Sequence, residues 1–135
     1  MGKLYKDGYV EITESRIEGC LEIDVKKNFQ DIDLFNQAIR ALRHHIINTG
    51  ASKIIYILDK VDNIPDIKTL EEDFYPTIVQ HGVKKIAIVT GKELGNHAYH
   101  YGLYNNLKPM TEKLELNAEI FFDIDDARTW INSRE

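Results

Sequence analysis

One cysteine stands in the whole 135-residue chain. Cys20 therefore has no partner for an internal disulfide, nothing in the sequence calls for an oxidising compartment, and the cytoplasm is the expected setting. Its acidic neighbours, Glu18 and Glu22, would raise a thiol pKa rather than activate it, so a reactive cysteine is not expected. Long apolar runs are missing as well. No stretch approaches the roughly 18 residues of a membrane-spanning helix, and residues 1–10, interrupted by Lys3, Lys6 and Asp7, do not read as a signal peptide. Positive charge is not in excess: with 22 acidic against 17 basic residues the net charge is -5. The basic field that phosphate backbones require is absent, so nucleic acid is not an expected partner. Repeats, low-complexity tracts and linkers are also lacking, and one domain over residues 1–135 is expected to share a single core.

What the chain does contain is a globular balance, 43% hydrophobic and 29% charged. The apolar residues change period along it. Residues 9–13 and 17–25 alternate apolar with polar, the mark of strands showing one face to a core, with Glu14-Ser15-Arg16 as a hairpin between them. From Asp31 the period becomes helical: Leu34, Phe35, Ala38, Ile39, Leu42, His45 and Ile46 recur at three- and four-residue steps. Asp31 or Asp33 is available as N-cap and Gly50 as the stop. Residues 53–59 and 83–89 are continuous β-branched and apolar runs, expected as interior strands covered on both faces.

Between those runs, residues 67–80 look helical, and Pro76 must kink or divide them. Residues 93–116 also read as helical, around Pro109, and 118–122 as a last strand. Asp123 or Asp125 then caps a terminal helix with Ala127, Trp130 and Ile131 on one face. The expected fold is α/β in the order ββαβαβαβα: a five-stranded, mostly parallel sheet with an antiparallel N-terminal strand and about four helices.

Two segments carry a family resemblance. Asp73-Phe74-Tyr75-Pro76-Thr77-Ile78-Val79-Gln80-His81-Gly82, leading into the strand at Val83, and Ile120-Phe121-Phe122-Asp123-Ile124-Asp125-Asp126-Ala127-Arg128-Thr129-Trp130-Ile131 resemble the small bacterial SpoIIAA-like proteins of the STAS/SEC14-type superfamily. The element order agrees with that fold over nearly the full length. Both motifs do structural work: the aromatic pair packs a kinked helix on the sheet, Gly82 permits a close turn, and Trp130 lays the last helix over the final strand. The resemblance implies a STAS-like regulatory module of the bacterial cytoplasm. In related anti-sigma-factor antagonists a serine at the start of the helix after the central strand is phosphorylated. Here the residues after Asp59 lack the Asp-Ser-Ser-Gly pattern, leaving Thr69 as the one hydroxyl for such a switch.

Among polar residues, His97 and His100 would share a helical face at i and i+3, where their imidazoles could meet one metal ion. No third ligand and no His-Glu-x-x-His spacing accompanies them, so packing or solvent is the expected setting. His44 and His45 sit near a helix C-terminus, where the dipole favours a protonated ring. His45 is expected as a partly buried packing residue, and His81 as a C-terminal cap. Thr90-Gly91-Lys92 follows a buried strand, but a phosphate loop would need glycine where Ile86 stands and a hydroxyl where Glu93 stands. The clusters Glu71-Glu72-Asp73 and Asp123, Asp125, Asp126 fall at helix starts, where carboxylates serve as caps.

The function expected from this reading is that of a non-enzymatic binding or regulatory module, acting through protein–protein interaction or small-ligand sensing. Its working surface should be the loops at the carboxyl ends of the parallel strands, with Asp59, Asn63, Thr90, His97 and His100 as candidate contacts. No catalytic residue, cofactor or metal is called for. An alternative is a carrier or sensor of a small apolar or lipid-like ligand, in an aromatic cleft lined by Phe74, Tyr75, Tyr99, Tyr101 or Tyr104. A third reading is a histidine-based or metal-dependent hydrolase. The expected partner is an unidentified protein or small ligand, and an uncovered sheet face or edge would suit a homodimer.

Overall fold

Alternating and continuous apolar segments meet in one six-stranded sheet. The computed structural model describes residues 2–61, 70–90, 108, 109 and 111–133. Strands β1 (Lys3–Lys6), β2 (Val10–Glu14), β3 (Cys20–Val25), β4 (Lys53–Ile57), β5 (Lys85–Val89) and β6 (Asn117–Phe121) lie side by side in chain order. Strand β2 runs antiparallel to β1 and β3, and β3 to β6 are parallel. The expected antiparallel strand at residues 9–13 is thus present as β2, but the sheet has six strands, and β1 rather than β2 forms the edge.

The extra strand is short, with a lysine at each end and only Leu4 and Tyr5 between, too little alternation to announce itself. What fixes it is Asp7. One carboxylate oxygen accepts from the N–H groups of Tyr9 (2.7 Å) and Val10 (2.8 Å), and the other from the Tyr5 hydroxyl (2.6 Å). Burial works against that charge, but the Tyr5 hydroxyl and the two N–H donors outweigh it and hold the Asp7 carboxyl below its ordinary value. The second expected strand also begins later than its alternation suggests, at Cys20 rather than Ile17. The Ser15 hydroxyl oxygen accepts from the Ile17 N–H (3.2 Å), and Gly19, at φ 72°, turns the chain back into register.

Helix α1 (Ile32–Thr49) is capped by Asp31, which accepts from the Leu34 N–H at 2.9 Å, and ends at left-handed Gly50. After β4, a π-helical turn (Leu70–Phe74) leads into α2 (Tyr75–Gln80). Pro76 has no N–H to give to the preceding turn, and the division expected there takes the form of this widened turn. His81 closes α2 with its ring Nδ1 2.9 Å from the Thr77 carbonyl, as expected. Helix α3 (Ile124–Ile131) starts from Asp123, which accepts from the Asp125 N–H at 2.7 Å.

The helices cover the sheet unequally, and the sequence pattern follows. On one side, Val10, Ile12, Leu21, Ile23, Ile54, Tyr56, Ile86 and Ile88 pack beneath α1, the π-turn and α2. On the other, Cys20, Ile55, Ala87 and Val89 meet Ala127 and Ile131 of α3. Strands β4 and β5 are apolar throughout because both faces are covered, whereas β2 and β3 alternate because their second face carries Glu11, Thr13, Glu22 and Asp24. Lys85, only 5% exposed, reaches from β5 to the C-terminus of α3. Its Nζ donates to the carbonyls of Trp130 (2.8 Å) and Ser133 (3.3 Å) and to the Ser133 hydroxyl (3.0 Å), and it lies 4.4 Å from the centre of the Trp130 ring. Trp130 in turn rests on Phe121 at 5.6 Å between ring centres, the placement over the final strand expected for it. No described helix is long and apolar enough to cross a membrane.

Candidate functional site

Strand alternation sends Tyr56 to the α1 side of the sheet, next to Ile54 and opposite Ile88. The helical period of α1 brings Phe35, Ala38, Ile39 and Leu42 down onto the same region, and the π-turn with the start of α2 adds Leu70, Phe74 and Tyr75. Val10, Val25, Phe29, Leu58 and Val61 complete the wall. These side chains leave an almost wholly apolar cavity of about 70 Å³. Its aromatic rim is ordered by ring contacts. Phe29 stacks on Tyr9 (5.1 Å, 14°) and meets Phe35 edge-on (5.4 Å, 85°), and Phe74 lies 6.4 Å from Tyr56 and 5.4 Å from Tyr75. Across the surface above, Arg43 of α1 and Asp73 of the π-turn form an ion pair at 2.8 Å.

Tyr56 is the exception in this wall. Its hydroxyl is buried and has no hydrogen-bond partner, a condition it shares among the described residues with the Asn36 side-chain oxygen. Burial, with the nearby Tyr75 adding to it, pushes the Tyr56 phenol well above its ordinary value, so the group stays neutral and keeps its proton.

The expected polar contacts fall elsewhere. The carboxylate of Asp59 accepts from the Lys60 ammonium at 3.1 Å, and Lys60 also bonds Asp24 at 2.9 Å, a cluster that ties the end of β4 to β3. Thr90 is fully buried, and its N–H extends the pairing of β5 with β6 by donating to the Phe121 carbonyl at 2.8 Å. Neither lines the cavity, so the polar crevice expected beside them is replaced by an apolar cavity one layer deeper. The crevice rule rests on a reversal of strand order, and strands laid down in chain order contain none. Asn63, Thr69, His97 and His100 lie outside the described residues, as do Tyr99, Tyr101 and Tyr104 of the expected aromatic cleft. Phe74 and Tyr75 of that cleft do line the cavity.

A second, polar depression of about 530 Å³ lies on the opposite face, between the β2–β3 loop and α3. Arg128 grips both oxygens of Glu22, at 3.1 and 2.8 Å, and the Ser15 hydroxyl donates to the same carboxylate at 3.0 Å. Its main charges are therefore spent on each other. Beneath it the buried Cys20 thiol is pushed up to about 11, first by burial and then by Glu22, which leaves it unreactive near neutral pH.

Nor do the described histidines build a centre. His45 is half-buried, 5.7 Å from the Tyr5 ring and 5.2 Å from His44. Burial and then the neighbouring His44 pull its pKa down, so the protonation expected from the helix dipole is not what this ring favours. Among the described residues no three of His, Cys, Asp and Glu are grouped to hold a metal ion. Sequence reasoning passed over Tyr56, although a signal was present: it is the one hydroxyl in the interior run Ile54-Ile55-Tyr56-Ile57. Compared with known proteins, the chain matches no family model, no curated protein and no solved structure.

Proposed function

We propose that this chain is a non-enzymatic binding module of STAS-like, SpoIIAA-like type that senses a small uncharged molecule in the cavity between α1 and the sheet. The observation that carries the proposal is the cavity itself, about 70 Å³ of apolar space enclosed by α1, the sheet and a π-helical turn. Tightly packed interiors leave few such voids, and π-turns are common at working sites. An ionised ligand is disfavoured, because nothing in the lining offers it a counter-charge. Size bounds the ligand too: an apolar cavity of about 150 Å³ takes up benzene, so one half as large suits a molecule of only a few heavy atoms. Such a molecule would touch α1, the π-turn and β4 together and tighten their packing, which gives occupancy a route to the protein surface.

The test is Ala38→Leu, which adds three carbons to the wall at a position 3% exposed. Wild-type protein titrated with small uncharged organic molecules should show NMR shifts at the methyl groups of Val25, Leu70 and Ile88. The variant should fold, lose at least about tenfold in affinity and keep or raise its thermal stability. Equal affinities in the two proteins, or no response from the lining methyls to any compound, would remove the proposal.

A further inference from the structure

We infer that Tyr56 reads the chemistry of the ligand, and that the ligand class is an uncharged, apolar molecule bearing a hydrogen-bond acceptor, such as a short-chain ketone, aldehyde or ether. This rests on the cavity being a ligand site and goes beyond it by assigning a specificity-determining atom. The Tyr56 hydroxyl lies in the wall of an otherwise apolar space, the residue is 6% exposed, and no partner satisfies it. Buried hydroxyls are almost always paired, because an unpaired one forfeits the bonds that water gave it. Phenylalanine would fill the same volume without that cost, so the oxygen is an oddity as packing and a natural contact for something that enters.

The direction of the bond follows from the phenol. It is neutral, its proton has no acceptor, and a phenol donates more readily than it accepts. The complementary group is therefore an oxygen or nitrogen lone pair. A carboxylate would accept the proton well but would bring an uncompensated charge into a wall of Val, Leu, Ile and Phe side chains. A trapped water fares little better, since it needs two to four polar partners and this wall is nearly all hydrocarbon. What remains is a compact hydrocarbon frame with an uncharged acceptor.

Two probes of the same shape separate the hydroxyl's role from simple cavity filling: 2-butanone, and 2-methyl-1-butene, in which a CH2 group replaces the carbonyl oxygen. Both are titrated into the full chain and into Tyr56→Phe, with the lining methyl resonances as readout. Because water holds the ketone more strongly than the alkene, the diagnostic quantity is the ketone-to-alkene affinity ratio. It should fall about tenfold in the variant, while alkene affinity stays unchanged or improves. In the absence of ligand, Tyr56→Phe should melt about 5 °C higher, since it discards an unsatisfied group. An unchanged ratio, with both probes bound, would overturn the role of Tyr56 and leave the cavity as a site. Failure of both probes to bind would overturn the site and this inference together. A lower melting temperature for Tyr56→Phe would show that the hydroxyl has a partner within the protein, and would also overturn it.

Discussion

Lys85 shows how much a single side chain can alter the meaning of its neighbours. An ammonium group that is 95% withdrawn from water is tolerable only because three oxygens at the end of α3 and the face of Trp130 surround it. The lysine serves as a cap delivered from another element, placing positive charge where the helix carbonyls are unsatisfied. Replacing it with methionine, which keeps most of the stem, should cost about 2 kcal/mol in urea denaturation. Lys3→Met, at a side chain 59% exposed, should stay within about 0.5 kcal/mol. This distinction was not legible in the sequence. Lys84 and Lys85 stand together before an apolar run, and only the pairing register decides that one faces water while the other reaches under a helix. The roles of Asp31, Gly50, His81 and Asp123 were legible, because capping is a local matter of a few bonds.

Among the elements, the β1–β2 hairpin has the clearest dependence on solution conditions. Asp7 has a lowered pKa in the folded chain, so its stabilising effect is complete above the unfolded value of about 3.9 and is lost as pH falls through the folded one. His45, which packs against Tyr5 of the same hairpin, also has a lowered pKa, so the unfolded chain takes up its proton first. That contribution is present at neutral pH and declines as pH drops below the unfolded value of about 6.5. Acid should therefore loosen β1 in two stages, seen as falling protection of the Tyr5 and Ile12 amides after correction for intrinsic exchange. Asp7→Ala should cost about 1 to 2 kcal/mol at pH 7, and that difference should shrink near pH 3. Equal costs at the two pH values would remove the carboxylate from this account. The hairpin escaped sequence reasoning because its strand is too short to show a period, whereas α1, with five buried positions at helical spacing, could hardly be missed. The break at Pro76 was likewise foreseeable, but not that it would open into a π-turn, since the form of a defect depends on what packs against it.

For the molecule as a whole, the two sheet faces are tied together by few long-range polar links, and Glu22–Arg128 is the firmest of them. It joins residues 106 positions apart, and the Glu22 side chain is only 16% exposed. A paired Glu22→Gln and Arg128→Leu cycle should give a coupling energy of about 1 kcal/mol, at the upper end for exposed pairs and only weakly reduced by salt. A coupling near zero would mean that α3 is held by Ala127, Ile131 and Lys85 alone. The α/β class and the two doubly covered strands were readable from composition and period, since burial on both faces leaves no room for polar residues. The position of the cavity was not, because it depends on strand order, and sequence alone does not say whether that order reverses. The order found here also bears on biosynthesis. Every strand docks beside the one made immediately before it, so a nascent chain leaving the ribosome would find each template already in place. Assembly can proceed from the amino end like courses of brick, with no strand waiting exposed for a neighbour still to be translated.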